Sequence, residues 1–162
     1  MEVYYSDQPL PIKMKLSIFL VGPTPRITDV PSWRPDALQL LESLKFKGSV
    51  FVPENSGKNL VLDEDANQDN LWLKQVEWER EGLDGATVIA AWVPRSQELP
   101  AFTTNVEFGR YVTSKRLIYG RPDGAPKTRY LDWLYHRETG MHPHLSLAGL
   151  LSHAVRLCEI LA

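Results

Sequence analysis

LSIFLVG, residues 16–22, is the stretch whose reading decides the fold. It is an unbroken apolar run that ends at Gly22 and Pro23. A strand with one wet face alternates apolar and polar residues. A strand covered on both faces does not, and both-face burial is the mark of a parallel sheet. GSVFVPE (48–54), ATVIAAWVP (86–94) and RLIYG (116–120) repeat the pattern. The segments between them have helical periodicity. Ser32 is a candidate N-cap with Pro35 in the first turn. Ala37, Leu38, Leu41 and Leu44 form an apolar stripe, and Gly48 is the expected stop. Further helices are expected over about 69–83, 104–115 and 128–139. A final one carries Leu147, Leu150, Leu151, Ala154, Leu157 and Leu161. MHPHLS (141–146) is the expected place for a short fifth strand. Residues 1–13 read as an irregular or edge-pairing arm.

Apolar strands alternating with amphipathic helices predict an α/β layer fold with a mostly parallel sheet. In such sheets a ligand sits beyond the carboxyl ends of the strands, where the strand order reverses. Loops 22–32, 53–68, 93–104 and 120–127 are therefore the ones to inspect. The polar stretch 55–70 is long for a connection and reads as a functional loop or lid.

Composition narrows the function. The chain has 162 residues, 43% hydrophobic and 23% charged, with a formal net charge of −2. That length suits one domain, 1–162. The basic residues do not cluster, which argues against a nucleic-acid partner. No apolar run reaches the roughly 20 residues of a membrane span, and the N-terminus lacks a signal-peptide layout. Cys158 stands alone, so no internal disulfide forms and a cytoplasmic setting is expected. A lone helical Cys reads as a small buried hydrophobe rather than a catalytic thiol. The four histidines (136, 142, 144, 153) match no zinc spacing, and no metal is expected.

Three segments carry candidate chemistry. GPTPR (22–26) has a glycine that lets backbone approach a ligand, yet it is neither a GxGxxG motif nor a phosphate-binding P-loop. Its plain reading is a Pro-stiffened turn with a solvated Arg26. QVEWERE (75–81) sets Gln75 and Glu79 on one helix face and Glu77 and Glu81 on another. Its plain reading is a wet acidic face with Trp78 or Trp72 turned inward. Periodicity does not pick which carboxylate serves a site. TTNVEFG (103–109) reads first as a capping box, Thr104-x-x-Glu107. It also reads as a reactive carboxylate. A place in the first helical turn would keep Glu107 ionised and held by backbone donors, and a carboxylate nucleophile must be ionised. Paired carboxylates are what retaining glycosyl transfer uses.

Taken in order, IFLVGPTPR (18–26), SWRPDALQLLE (32–42), VFVPE (50–54), QVEWEREGLDGATVIAAWVPR (75–95), TTNVEFG (103–109) and APKTRYLDWL (125–134) resemble the nucleoside 2-deoxyribosyltransferase-like family. The resemblance implies a flavodoxin-like (Rossmann-like) three-layer fold with about five parallel strands. It implies cleavage of the N-glycosidic bond of (deoxy)nucleosides or nucleotides, with no cofactor. Residue by residue, it makes Glu107 the nucleophile and Glu79 the acid that orients it and handles the base proton. Phe19 would help enclose sugar and base, and the Gly22–Pro23 loop would form a wall. Thr104, Asn105 and Arg26 would complete the substrate contacts. A homo-oligomer is implied as well. The chain departs from the family in having AFTT (101–104) where classical transferases carry an extra Asp. The competing expectation is a nucleoside- or nucleotide-sensing module of the same fold without turnover.

Overall fold

The computed structural model describes residues 1–25, 30–57 and 68–162, without the side chains of Gln68 and Asp69. Arg26 and residues 58–67 of the expected lid lie outside the described residues. The elements run β1 (Glu2–Tyr5), β2 (Ser17–Val21), α1 (Arg34–Ser43), β3 (Ser49–Val52), α2 (Gln68–Gly85), β4 (Val88–Trp92), α3 (Phe102–Tyr111), β5 (Leu117–Gly120), α4 (Arg129–Thr139) and α5 (Leu147–Leu161), with a 3-10 turn after α3 at Val112–Ser114. The strands form one sheet in the order β1-β3-β2-β4-β5, and every described pairing is parallel.

Alternate strand residues feed two cores, which is why the strands are apolar without a break. Ile18, Leu20, Val50, Val52, Val88 and Ala90 pack with Ala37 and Leu41 of α1 and with Leu150, Leu151 and Ala154 of α5. Phe19, Val21, Phe51, Ile89, Ala91 and Tyr119 face the other way. They pack with Trp78 and Leu83 of α2, Phe108 of α3, and Leu131 and Tyr135 of α4. Helices on both faces of a parallel sheet make the α/β layer fold that the strand pattern predicts, in the three-layer, flavodoxin-like form that the resemblance implies.

Three local expectations need correction. The fifth strand is not in MHPHLS. That segment supplies one bridge, His144 to Gly120. The fifth strand is Glu2–Tyr5, which pairs with β3 from Glu2↔Ser49 to Tyr5↔Val52. Of the two expectations for the N-terminal arm, the edge-pairing one therefore holds over Glu2–Tyr5. Helix α1 stops well before Gly48, at Ser43, with Lys45 left-handed at φ 57°. Gly48 serves packing instead, since a Cβ there would sit 1.8 Å from the Leu16 carbonyl oxygen. Finally, α3 starts earlier than Thr104. Its N-cap is Ala101, in the left-handed region at φ 58°, with no side-chain cap. The capping box does not form, because Thr104 already lies inside the first turn and Glu107 in the second.

Candidate functional site

The strand order turns at β2, whose neighbours β3 and β4 lead outward to opposite edges. A cavity of about 530 Å³ opens beyond the carboxyl ends of these strands. Gly22, Pro23 and Thr24 line it from the loop after β2, and Arg34 from the start of α1. Trp72, Gln75, Val76 and Glu79 line it from α2 at the i, i+3, i+4, i+7 spacing of one helix face. The loop after β4 and the start of α3 supply Glu98, Thr104 and Glu107, among others.

The loop after β2 is shaped by close packing. A Cβ on Gly22 would lie 2.3 Å from the Trp92 carbonyl oxygen and 2.7 Å from the Trp33 ring. Only glycine lets the backbone turn there without pushing β4 away. Trp33 Nε1 donates to the Pro23 carbonyl at 3.3 Å. Ser32, the candidate cap, accepts from the Arg34 amide at 3.1 Å and donates to Glu54 at 2.8 Å. Its hydroxyl meets an orphan helix donor, although the formal cap is Trp33.

Arg34 is only 1% exposed, and its guanidinium is fully engaged. Nε and Nη2 each donate to the Leu20 carbonyl at 3.3 Å. Nη2 also donates to the Gly22 carbonyl at 2.8 Å. Nη1 donates to the Thr24 hydroxyl at 3.1 Å and pairs with Glu54 Oε1 at 2.6 Å. A planar five-donor fork suits such a cluster of carbonyls and a carboxylate. The sequence reading missed Arg34. Its signal was an arginine wedged between Trp33 and Pro35 at a helix start, beyond the first strand. Nothing local shows that this side chain is buried.

Glu79 and Glu107 face the same cavity from different helices. Gln75 Nε2 donates to Glu79 Oε1 at 3.0 Å. Burial raises the proton affinity of Glu79, against the Gln75 hydrogen bond and the Arg34 charge, which lower it. Glu107 is pushed up to about 8, first by burial and then by the Glu79 charge, with Arg34 opposing. The expectation that the helix start keeps Glu107 ionised is therefore reversed. Glu107 sits beyond the first turn, where the dipole fades, and burial with a like charge outweighs it. Near neutral pH this pair holds a proton.

Other expected contacts fall elsewhere. Thr104, Gly22 and Pro23 are on the cavity wall. Phe19 is not. It is fully buried beneath α2, with its ring 5.9 Å from Trp78 and 6.4 Å from Phe51. Gly82 makes room for it, since a Cβ there would lie 2.7 Å from the Phe19 ring. Phe19 seats the helix that carries Glu79. Asn105 also lies off the wall. It accepts from Arg95 Nη2, while Arg95 Nη1 donates to the Lys127 carbonyl at 2.6 Å. Asn105 thus ties α3 to the loop before α4.

The remaining candidates lie away from the cavity. Cys158 is buried, and burial raises its thiol to about 11, so it is unreactive. His136 stacks on His142, and His144 Nε2 lies 3.0 Å from His153 Nδ1. Among the described residues no three His, Cys, Asp or Glu side chains are grouped to share a metal ion. Nor is any described helix long and apolar enough to cross a membrane.

No curated protein sequence gives a significant match to the chain. The family model described as nucleoside 2-deoxyribosyltransferase like matches residues 15–125, which hold every described cavity residue. With the match covering well over half of its length, the chain belongs to the nucleoside 2-deoxyribosyltransferase-like family.

Proposed function

We propose that this protein cleaves the N-glycosidic bond of (deoxy)nucleosides or nucleotides by double displacement. The supporting observation is the carboxyl pair, Glu79 and Glu107, which faces one cavity at the strand-order switch and retains a proton near neutral pH. In the first step a Glu107 oxygen attacks C1′. The C1′–N bond breaks, its electron pair goes to the departing base, and Glu79 supplies the proton that the base takes up. In the second step a nitrogen of another base, or water, attacks C1′. The ester bond to Glu107 breaks, and the acceptor's proton passes to Glu79. Glu107 must be ionised to attack, whereas the empty site favours its protonated form. Substrate binding therefore has to shift the shared proton toward Glu79 or the base. A pair that must hold one proton loses activity when that proton leaves.

The test follows free base by chromatography. The protein is incubated with deoxynucleosides and deoxynucleoside monophosphates, with and without a second base. Release or exchange is expected, with kcat/KM falling on the alkaline side around pH 8, where Glu107 gives up its proton. Glu107→Ala should abolish it. Saturable binding without release in every mixture would leave the sensing module as the better reading.

Self-association belongs to the same proposal. Trp72 and Val76 on α2 and Phe102 on α3 are exposed apolar side chains on the cavity wall, and Leu71 and Leu73 on α2 and Val106 on α3 are exposed apolar side chains of the same two helices. Such a concentration is costly in water and suits cover by a second copy.

A further inference from the structure

We infer that Arg34 is a positioning residue for the carboxyl pair: it is a fixed buried cation, tuned by Glu54, that sets how much negative charge Glu79 and Glu107 can carry together. This rests on the proposed glycosidic chemistry for its consequence, though not for its test. The geometry argues for it in three ways.

Arg34 lines the cavity, yet its guanidinium donors are already committed to Leu20, Gly22, Thr24 and Glu54. A guanidinium so engaged is poorly placed to grip a substrate anion. It can still act through its charge, which it keeps even when buried. Next, the cation cannot drift. Two strand-end carbonyls and a carboxylate hold the fork flat, and Trp33 lies against it with its ring centre 4.9 Å from Cζ. Lastly, Glu54 is a partly buried counter-charge paired with Arg34 and itself bonded by Ser32. An Arg34 without Glu54 would favour two ionised carboxylates. A fully neutralised Arg34 would favour two protonated ones. The partly compensated cation holds the pair between these limits, where one proton is shared.

The charged groups facing the pair are few among the described residues. Arg34 comes from α1 and Glu98 from the loop after β4, both on the cavity wall, while Glu54, just after β3, enters as the ion-pair partner of Arg34. Glu79 and Glu107 face each other's field from α2 and α3. Arg34 lowers the proton affinity of both carboxyls, and among the described residues it is the one cation that does so in each case.

Two variants move this balance in opposite directions. Glu54→Gln keeps an oxygen acceptor for Arg34 and removes the counter-charge. Arg34→Met removes the cation. The direct measurement is a carbon-13 NMR titration of the glutamate carboxyls in the ligand-free protein, with Glu79 and Glu107 assigned from Glu79→Gln and Glu107→Gln. The highest-titrating carboxyl of the pair should shift down by about half a pH unit or more in Glu54→Gln and up by a similar amount in Arg34→Met. If Arg34→Met does not fold, Glu54→Gln alone decides. The alkaline limb of base release should move the same way, and Arg34→Lys should restore it in part by returning the charge. A midpoint in Glu54→Gln unchanged within error would overturn the inference and leave Arg34 a purely structural anchor. The titration needs no turnover. Absence of base release would therefore count against the proposed reaction alone, and a flat titration against Arg34 alone.

Discussion

Glu107 links the site to the stability of the whole chain. Its carboxyl is raised from the ordinary 4.5 to about 8 in the folded protein, so the folded state binds more protons than the unfolded one between those values. Stability contributed by this group is complete below the unfolded value, declines as pH rises, and is gone above about 8. Unfolding by urea at pH 5.5 and pH 8.5 should therefore show a fall in stability toward the alkaline side. Glu107→Gln, a neutral isostere, should flatten that slope and be relatively more stable at the higher pH. An unchanged slope in the variant would mean that Glu107 is not the group responsible. The same site thus trades stability for a carboxylate that ionises reluctantly, as functional sites often do. The motif TTNVEFG shows Glu107 to any reader of the sequence. Its proton affinity is not in the motif, because burial and the Glu79 charge arise from α2, more than twenty residues earlier in the chain.

At the scale of elements, two segments set the position of the carboxylates. The turn after β2 depends on Gly22, whose Cβ-less backbone sits against the Trp92 carbonyl and the Trp33 ring. Gly22→Ala should cost roughly 1–3 kcal/mol through forced shifts in packed surroundings. Because the Gly22 carbonyl is also a partner of Arg34, nucleoside binding should weaken beyond what the stability loss explains. Urea unfolding and calorimetric titration check the two parts separately. The N-terminal arm is the other segment. It gives β3 its outer partner, and the Ser6 amide donates to the Glu54 carbonyl at 3.0 Å. The Gln8 carbonyl accepts from Trp78 Nε1 at 2.8 Å, on the same helix as Glu79. Removing residues 1–8 should lower the Tm and expose β3 as a sheet edge, read by thermal unfolding and by light scattering on heating. A truncated chain with unchanged Tm would show that the strand adds nothing. The arm was hard to read as a strand because EVYY is short and an edge strand escapes both-face burial, so its pattern is not the unbroken apolar run of β2 or β4.

For the whole molecule, the exposed apolar side chains of α2 and α3 make association a testable property. The chain mass is 18.4 kDa, so sedimentation velocity at micromolar concentration should find a larger species. Val106→Glu should shift it toward the monomer without unfolding it, since Val106 is 72% exposed and contributes little to the core. A monomeric parent would remove the self-association proposal and leave the chemistry of the cavity untouched. The alternation of strands and helices, the parallel sheet and the switch-point loops were legible in the sequence alone. Strands covered on both faces must be apolar throughout, and helices covered on one face must show a stripe, so local pattern carries that information. The family was legible for a related reason, since its motifs occupy the strand ends and helix starts in fixed order. Tertiary structure alone decided that the fifth strand comes from Glu2–Tyr5, that Phe19 packs beneath α2 instead of lining the cavity, that Arg34 is buried beside the site, and that Glu107 holds its proton so tightly. Each of these depends on which distant segment lies across the sheet or the cavity. Burial and the sum of neighbouring charges are properties of that arrangement, and no local run of residues encodes them.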